Sequence, residues 1–370
     1  MKTILFCLIV SFFFSCSDAL TTEENMAQGD DKLALKDYTG AVENYSLVIQ
    51  TSPNRTEAYA QRGFAYCKLK NYDAAIIDLD KALALDPKSY RVFNVRGIYF
   101  ATLGEPERAL RNYNIGIELA PDQAILYYNR GISNSHLSNY EAALADFDAS
   151  IDLDSTDADS YYRKGEVYYE LNAFAMAIGE YNRSLEIDPE HYNSFLGRAD
   201  SKEEIQEYDE AIEDYNHYID LRPESPIGYN NRGYTFGALK NYEAAFQDFD
   251  KALELVPEYA FAYANKGDLE ADLKLYQKAI NSYEKSLAIE EDVTTRSSLA
   301  VVYELAQDYE AAIENYTQII AIDSTYGSDF LARGLLYIKT KEKQKACLDF
   351  EMALELEEEE ALSSFKKYCK

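Results

Sequence analysis

Residues 127–148 read YYNRGISNSHLSNYEAALADFD, and nearly the same text recurs along the chain. The stretch contains Gly131, followed by Ala143 twelve residues later and by Phe147 sixteen residues later. Steps of 34 residues from that glycine find a small residue each time, with one residue lost before the ninth. Self-similarity at a fixed period of this length indicates a solenoid of repeated supersecondary units. The ten anchor residues are Gly29, Gly63, Gly97, Gly131, Gly165, Ala199, Gly233, Gly267, Ala300 and Gly334.

Each unit carries the pattern of two short antiparallel helices. Apolar and small residues fall at helical spacings on both sides of a turn such as LSN at 137–139. An alanine stands twelve residues after every anchor, and an aromatic residue stands sixteen after it in every unit except the second, which has Leu79. The small residues mark where the helices approach closely, and the aromatic rings fill the layer between them. Prolines such as Pro53 and Pro87 often end the unit.

This order of aromatic, small residue, alanine, aromatic and proline resembles the tetratricopeptide repeat (TPR) family. The resemblance covers residues 22–360 and implies an all-α fold, a right-handed superhelix (α-solenoid) of ten helix-turn-helix repeats. A capping helix is expected over 357–370, where the anchor glycine is missing. Arg296 replaces the aromatic residue of repeat nine and Leu299 precedes its anchor, so its junction with repeat eight should be the least regular. The repeats are expected to start near residues 22, 56, 90, 124, 158, 192, 226, 260, 293 and 327.

A basic residue precedes the anchor in eight repeats, and a polar residue stands fifteen positions after the anchor in the same eight. Six of those polar residues are carboxylates; the other two are Asn112 and Ser282. We interpret the pattern as charge-assisted, partly buried ion pairs within repeats. The alternative is an arginine row that binds anions. The expected pairs are Arg62 with Asp78, Arg130 with Asp146, Lys164 with Glu180, Arg198 with Asp214, Arg232 with Asp248 and Arg333 with Asp349.

The N-terminal segment MKTILFCLIVSFFFSCSDAL places one lysine before an apolar run from Ile4 to Phe14. That run is shorter than the roughly 20 residues of a membrane-spanning helix and is typical of a secretory signal peptide. The residues up to Cys16 resemble the lipobox of bacterial lipoproteins, in which the cysteine is lipidated. The resemblance implies a signal peptide over 1–15, lipidation of Cys16 and a short tether over 16–21.

The residue after the lipidated cysteine bears on localisation. Ser17 at this position favours the outer membrane of a bacterial cell envelope, by the same resemblance. The alternative is ordinary cleavage after Ala19, which would give a free periplasmic or secreted protein.

Three of the five cysteines lie outside this N-terminal segment: Cys67, Cys347 and Cys369. An odd number is a poor disulfide framework, and no CxxC or zinc-ligand spacing is present. Cys347 and Cys369 could meet if the last helix folds back. Burial as small apolar residues is the favoured interpretation.

No motif in the sequence predicts catalysis. His136, His191 and His217 lie in different repeats without metal-ligand spacing, and no glycine-rich phosphate loop, nucleophile elbow or HExxH is present. We therefore predict no catalytic residue, metal or cofactor. The formal net charge of −29 argues against nucleic acid as a partner, because phosphate binding needs a cationic surface. It also disfavours an anionic membrane surface, so membrane attachment is expected through the lipid alone.

In the family the first helices line a concave wall, and residues one, four and five past the anchor face the groove. These positions, with two tyrosines three before their anchors, give an apolar stretch and then an acidic, tyrosine-rich one. The composition favours a peptide with a hydrophobic anchor followed by Lys or Arg. Alternatively, the apolar residues pack between neighbouring helices and the acids form a solvated face. The residues are Phe64, Ile98, Ile132, Tyr128, Tyr162, Glu166, Tyr169, Glu170, Asp200, Glu203, Glu204, Tyr234, Asp268, Asp272 and Glu304.

The sequence therefore predicts a non-catalytic protein-interaction scaffold, lipid-anchored in a bacterial envelope, that binds a protein or peptide segment, basic in character, in its groove. A structural subunit of an envelope assembly or secretion complex, acting through its convex face or ends, is one alternative. An accessory factor of cell-wall metabolism is the other.

Overall fold

The structure is a computed structural model that describes residues 20–370. These residues form 21 α-helices and no strand, and none of the helices is long and apolar enough to cross a membrane. The described chain falls into two compact units, residues 20–167 and 168–370. The predicted signal peptide and the lipidation site at Cys16 lie outside the described residues.

Consecutive helices pair as helix-turn-helix repeats, so the predicted all-α repeat architecture is confirmed. The unit border falls inside α9 (Ala158–Glu170). The helices before it are α1 (Thr22–Ala34), α2 (Tyr38–Thr51), α3 (Thr56–Lys68), α4 (Tyr72–Leu85), α5 (Tyr90–Thr102), α6 (Pro106–Leu119), α7 (Ala124–His136) and α8 (Tyr140–Leu153). Those after it are α10 (Phe174–Ile187), α11 (Tyr192–Glu204), α12 (Tyr208–Leu221), α13 (Pro226–Ala238), α14 (Tyr242–Leu255), α15 (Ala260–Asp272), α16 (Tyr276–Ile289), α17 (Val293–Leu305), α18 (Tyr309–Ile322), α19 (Gly327–Lys339), α20 (Lys343–Glu355) and α21 (Ala361–Tyr368).

The turn inside every repeat contains one residue with a positive φ angle. The residue seven positions after the anchor has a left-handed conformation, with φ between 56° and 73°, and is glycine only in repeat three. In the turn after α3, the Lys70 N–H donates to Cys67 O and the Asn71 N–H donates to Tyr66 O, which is the Schellman pattern. The Asn71 side chain then accepts from the Ala74 N–H at 3.3 Å and caps α4. One helix therefore ends and its partner begins within three residues.

The two helices of a repeat meet where the anchor faces the ring sixteen residues later. A Cβ added to Gly97 would lie 2.2 Å from Cε1 of Tyr113, and one added to Gly131 would lie 2.8 Å from Cε1 of Phe147. The alanine twelve residues after the anchor is fully buried in all ten repeats. The anchor must therefore be small: the glycine anchors leave no room for a methyl group, and the two alanine anchors, Ala199 and Ala300, are themselves fully buried. The fully buried rings at this position are Tyr45, Tyr113, Phe147, Tyr181, Tyr215, Phe249, Tyr283 and Phe350.

Arginines that precede the anchor bind carboxylates on the second helix of their own repeat. The Arg62 guanidinium donates through Nε and Nη2 to both oxygens of Asp78, at 2.7 and 2.8 Å. This bidentate contact is repeated along the chain, and the carboxylates in it are almost fully buried. The shortest distances are 2.7 Å for Arg62–Asp78, 2.6 Å for Arg130–Asp146, 2.5 Å for Arg198–Asp214, 2.8 Å for Arg232–Asp248 and 2.8 Å for Arg333–Asp349.

The same arginines also reach the preceding repeat, a contact that the sequence analysis missed. Nη1 of Arg62 donates to Ser46 Oγ at 2.9 Å, and Nη1 of Arg130 donates to Asn114 Oδ1 at 2.7 Å. Each partner stands seventeen residues after the preceding anchor. The cation therefore joins two repeats as well as two helices. The remaining contacts of this kind are Arg198 with Asn182, Arg232 with Asn216 and Arg333 with Thr317.

Where the repeat itself offers no carboxylate, the preceding repeat supplies one. Arg96, whose own repeat has Asn112, lies 3.3 Å from Asp80. Lys266, whose own repeat has Ser282, lies 2.6 Å from Asp250. These two cations are therefore neutralised from outside their repeats.

Two further cations depart from the common pattern. One binds the preceding repeat, and the other replaces the basic residue that repeat nine lacks before its anchor. Lys164 lies 2.8 Å from Asp148, while its expected pairing with Glu180 joins residues of different units and stays a prediction. In repeat nine the cation is displaced by three residues, and Arg296 Nη1 donates to Asn315 Oδ1 at 3.1 Å.

The C-terminal helix α21 covers the last repeat. Ala361 is fully buried, and the Tyr368 ring stacks on the Phe350 ring with centroids 6.3 Å apart. A disulfide joins Cys347 in α20 to Cys369, with 5.7 Å between the Cα atoms. The favoured interpretation of these two cysteines as buried thiols is therefore wrong. It failed because α21 must fold back along α20 to cover the apolar end, which brings Cys369 to Cys347.

The anchor contact predicts opposite effects for two glycine-to-alanine substitutions. Gly97→Ala should lower the free energy of unfolding by roughly 1–3 kcal/mol, because the new methyl overpacks Tyr113. Gly179→Ala, at an exposed position of α10 where a Cβ meets nothing within 4 Å, should raise it by about 0.5–1 kcal/mol through helix propensity. Urea denaturation followed by circular dichroism measures both. Equal effects would contradict the close-approach assignment.

Candidate functional site

A pocket of about 290 Å³ opens between first helices of the second unit. Most of its lining comes from α11 and α13, with further side chains from α9, α12 and α15. We call it the acidic pocket. Its lining residues are Tyr169, Asp200, Glu203, Glu204, Tyr215, Asn231, Tyr234 and Asn265.

Helical spacing places the three carboxylates of the acidic pocket together. Asp200, Glu203 and Glu204 stand at positions i, i+3 and i+4 of α11 and therefore share one face of the helix. Like charges at these spacings destabilise a helix by a few tenths of a kcal/mol each. Among the described residues that line the pocket, none is basic. The folded chain therefore keeps three neighbouring acids here without a cation beside them in the pocket.

Neutral donors hold two of these carboxylates in place. The Tyr215 hydroxyl lies 2.7 Å from Asp200 Oδ1 and 3.0 Å from Glu203 Oε2. Asn231 Nδ2 donates to Asp200 Oδ1 at 3.1 Å, and Thr235 Oγ1 donates to Glu203 Oε2 at 2.8 Å. The Tyr215 hydroxyl has one proton and can serve one carboxylate at a time. Donors of this kind orient the acids but do not neutralise them.

Burial raises the pKa values of acidic groups in the pocket. It raises the pKa of Asp200 to about 6, assisted by the charge of Glu204 and opposed by the hydrogen bonds from Tyr215 and Asn231. It also raises the pKa of Glu203, against the hydrogen bonds from Thr235 and Tyr215. Burial and neighbouring acids raise the pKa of Tyr169 to about 12. Negative charge is therefore costly in this pocket, and a cation entering it would relieve that cost.

Five of the fifteen predicted groove residues line the acidic pocket, and the apolar ones among the remainder are packed elsewhere. Phe64 and Ile98 pack against a core cluster that includes Tyr99 and Tyr113. Ile132 and Tyr128 pack against Phe147 and its neighbours. These contacts favour the interpretation that they pack between helices.

The other predicted groove residues are satisfied locally or exposed. Glu166 accepts from the Tyr162 hydroxyl at 2.5 Å and from Arg163 at 2.7 Å, and Glu304 lies 2.7 Å from Lys339. Glu170 and Asp272 are exposed, and Asp268 lines a different pocket.

Tyr215, Asn231 and Asn265 line the acidic pocket but were not predicted from the sequence. The two asparagines both stand two positions before their anchors, which was a usable signal. The tyrosine belongs to a second pattern, in which an aspartate directly after the anchor accepts from the tyrosine hydroxyl sixteen after the anchor. The distances are 2.7 Å for Tyr45–Asp30, 2.7 Å for Tyr215–Asp200 and 2.6 Å for Tyr283–Asp268.

The arrangement is suited to binding. Within residues 20–370, no group of three or more His, Cys, Asp or Glu side chains is placed to hold a metal ion. The acidic pocket offers carboxylate oxygens as acceptors and tyrosine rings as walls. A Lys or Arg side chain matches this set, since its stem is apolar and its head is cationic.

The raised pKa of Asp200 predicts a pH-dependent loss of stability. Because the folded value of about 6 lies above the ordinary 3.8, ionisation of Asp200 costs stability as the pH rises from about 4 to 6. Asp200→Asn keeps both hydrogen-bond partners and should remove that cost, raising the free energy of unfolding at pH 7 by on the order of 2 kcal/mol. Urea denaturation at pH 4 to 7 tests this. The exposed Glu213→Gln in α12 is the control, and an equal pH slope in both variants would contradict the assignment.

Comparison with known proteins identifies the family from matches between residues 56 and 293. Three sequence models of the family described as tetratricopeptide repeat match this chain, each in two segments. The first matches residues 56–89 and 226–259, the second 94–158 and 136–192, and the third 192–225 and 262–293. Together these segments cover more than half of the 370 residues. The search of curated proteins finds no match.

Several solved structures match parts or most of this chain. Pseudomonas aeruginosa PilF is 20% identical over 58% of this chain and 97% of its own, with a TM-score of 0.52. The Cut9 and Hcn1 hetero-tetramer of the APC/C is 14% identical over 95% and 97%, with a TM-score of 0.49. YrrB, described as a TPR protein with an unusual peptide-binding site, is 22% identical over 51% and 97%, with a TM-score of 0.43. On the family matches and the repeated helix pairs, this chain belongs to the tetratricopeptide repeat family.

Proposed function

We propose that this protein is a non-catalytic scaffold, held in a bacterial envelope by a lipid on Cys16, which binds a basic protein segment in the acidic pocket. TPR proteins are generally protein-interaction scaffolds, and the fold is typically non-catalytic. The observation that carries the proposal is the set of three adjacent carboxylates with no basic side chain among the described lining residues.

The geometry accounts for the preference for a cation. Asp200 and Glu203 are already oriented by neutral donors, so an incoming ammonium or guanidinium meets fixed acceptors. Tyr169 and Tyr234 line the pocket, and Tyr234 is 51% exposed. An aliphatic stem can lie against these rings while its charged head reaches the carboxylates.

The cation also changes the proton balance. A positive charge beside Asp200 favours the ionised carboxylate and lowers its pKa from about 6. Binding near pH 5.5, where Asp200 is partly protonated, should therefore release a fraction of a proton per site.

Two features support placement in the envelope. The apolar run from Ile4 to Phe14, followed by Ser15 and Cys16, has the form of a lipoprotein signal. The disulfide between Cys347 and Cys369 fits an oxidising compartment, since cytosolic proteins rarely keep structural disulfides.

Peptide binding tests the pocket directly. A peptide with one arginine in an uncharged Gly/Ser background should bind, and its affinity should fall as salt is raised from 50 to 500 mM. Glu204→Lys should weaken it by about tenfold or more, because an attractive charge becomes a repulsive one. Glu204 is exposed and makes no described hydrogen bond, so the fold should tolerate the change. Titration calorimetry measures both.

Glu213→Lys, an equal charge change at an exposed position of α12 outside the pocket, is the matched control. Similar losses in the two variants would show a general charge effect. A peptide with norleucine in place of arginine that binds equally well would also overturn the proposal.

The anchor has its own test. Wild-type protein expressed with a radiolabelled fatty acid in a bacterial host should carry the label and fractionate with membranes. Cys16→Ala should lose the label entirely, since the thiol is the only attachment atom that the proposal offers. Label retained in Cys16→Ala would refute lipidation at this residue.

A further inference from the structure

A second pocket, of about 350 Å³, lies beside the acidic pocket in the second unit, and Asn265 lines both. It opens between α15, α16 and α17, where repeat eight meets repeat nine. We call it the junction pocket. Its lining includes Phe261, Ala264, Asp268, Glu290, Asp292 and Ser298.

The sequence of α17 explains why space is left here. Thr294, Thr295 and Ser298 are the residues that α17 turns toward the pocket, and all three are small. Arg296 stands where other repeats place an aromatic residue, and it points to Glu291 and Asn315 instead. The connection into α17 is also one residue shorter than elsewhere in the chain. The irregular junction is thus open rather than filled.

The chemistry of the junction pocket combines one aromatic face with three carboxylates. Phe261 is 61% exposed at its rim, a large apolar side chain that the fold does not bury. Asp268 accepts from the Tyr283 hydroxyl at 2.6 Å, and Asp292 accepts from the Thr295 N–H at 2.6 Å. Among the described lining residues none is basic, so the charge of Asp268, Glu290 and Asp292 is left without a cation in the pocket.

An arginine side chain fits this combination better than other groups. Its planar guanidinium stacks on an aromatic face and at the same time donates in its plane to carboxylates. A lysine ammonium offers the charge without the plane. An anionic or wholly apolar group would leave the carboxylates unpaired.

We propose that the junction pocket binds an arginine of the same segment whose first basic residue enters the acidic pocket, so that recognition is bipartite. This inference rests on the proposed function and adds the second subsite and the identity of its ligand residue. Because Asn265 lies between the two pockets, one extended chain can pass from one to the other without leaving the surface.

The helix arrangement sets the spacing of the two basic residues. The acidic pocket lies mainly between α11 and α13, and the junction pocket lies between α15 and α17. Neighbouring first helices are in contact along this row, and packed helices lie roughly 8–10 Å apart. Two such steps give roughly 16–20 Å. An extended chain advances about 3.3–3.6 Å per residue, so the two basic residues should stand about five positions apart.

A series of peptides tests this arrangement on the full chain by titration calorimetry. One peptide carries a single arginine in a Gly/Ser background, and the others carry a second arginine two to eight positions further on, in either direction. The second arginine should tighten binding by about tenfold at a separation near five, and by much less at two or eight, because a short tether cannot span the pockets. Lysine as the second residue should lose most of the gain.

Variants of the junction pocket should act on the second arginine alone. Phe261→Ala and Glu290→Gln should each remove a large part of the gain and should weaken the single-arginine peptide much less, because that peptide can still occupy the acidic pocket. Met176→Ala in α10, 60% exposed and outside both pockets, and Glu213→Gln in α12 are the matched controls and should retain the gain.

The outcomes separate this inference from the proposed function. If the single-arginine peptide binds but the second arginine adds nothing at any separation, the junction pocket is not a subsite and the proposed function stands. A gain that is independent of separation, or that survives Phe261→Ala and Glu290→Gln, also overturns the inference. If no peptide binds, both fail together.

Discussion

The fold rests on a steric constraint: a glycine or alanine must lie where a buried side chain sixteen positions later, usually an aromatic ring, leaves little space. The Gly97–Tyr113 and Gly131–Phe147 contacts show how little space is left. The constraint also shapes the walls of both pockets. Where the ring is a tyrosine and the residue after the anchor is an aspartate, the hydroxyl reaches past the anchor to the carboxylate, as in Tyr215–Asp200 and Tyr283–Asp268. Both of these pairs line a pocket.

Charge is divided between two purposes in this chain. On the side of the second helices, cations are matched with buried carboxylates at hydrogen-bond distance, as in Arg198–Asp214. On the faces of α11 and α15, carboxylates such as Glu204 and Asp268 are left without a basic neighbour in their pockets. Removing one partner of a buried pair is costly, so the first set is fixed by stability. The second set weakens stability in the absence of a ligand, and this is typical of groups that serve binding.

Counting from the anchors gave the helix pairs and the arginine–carboxylate pairs because both depend on a fixed 34-residue period and on local helix geometry. It also placed Asp200, Glu203 and Glu204 together, since i, i+3 and i+4 share a face. It did not give Asn231 or Tyr215, whose roles depend on which neighbouring positions leave space. The Cys347–Cys369 disulfide was not predicted because α21 lies after the last repeat, where the 34-residue period does not determine how the helix is oriented.

The way carboxylates are shared means that the repeats are not interchangeable modules. Repeat two carries both Asp78, for its own Arg62, and Asp80, for Arg96 of the next repeat. If recombination removed the 34 residues of repeat two, Ser46 of repeat one would take the position that Asp80 now has beside Arg96. Arg96 would then have Ser46 and, in its own repeat, Asn112 as neighbours, and neither is a carboxylate. A duplication or loss of a repeat can thus preserve the 34-residue period and still leave a basic side chain without a carboxylate partner. The charge pairs between neighbouring repeats therefore depend on the order of the repeats. This should limit how such an array can lengthen or shorten in evolution.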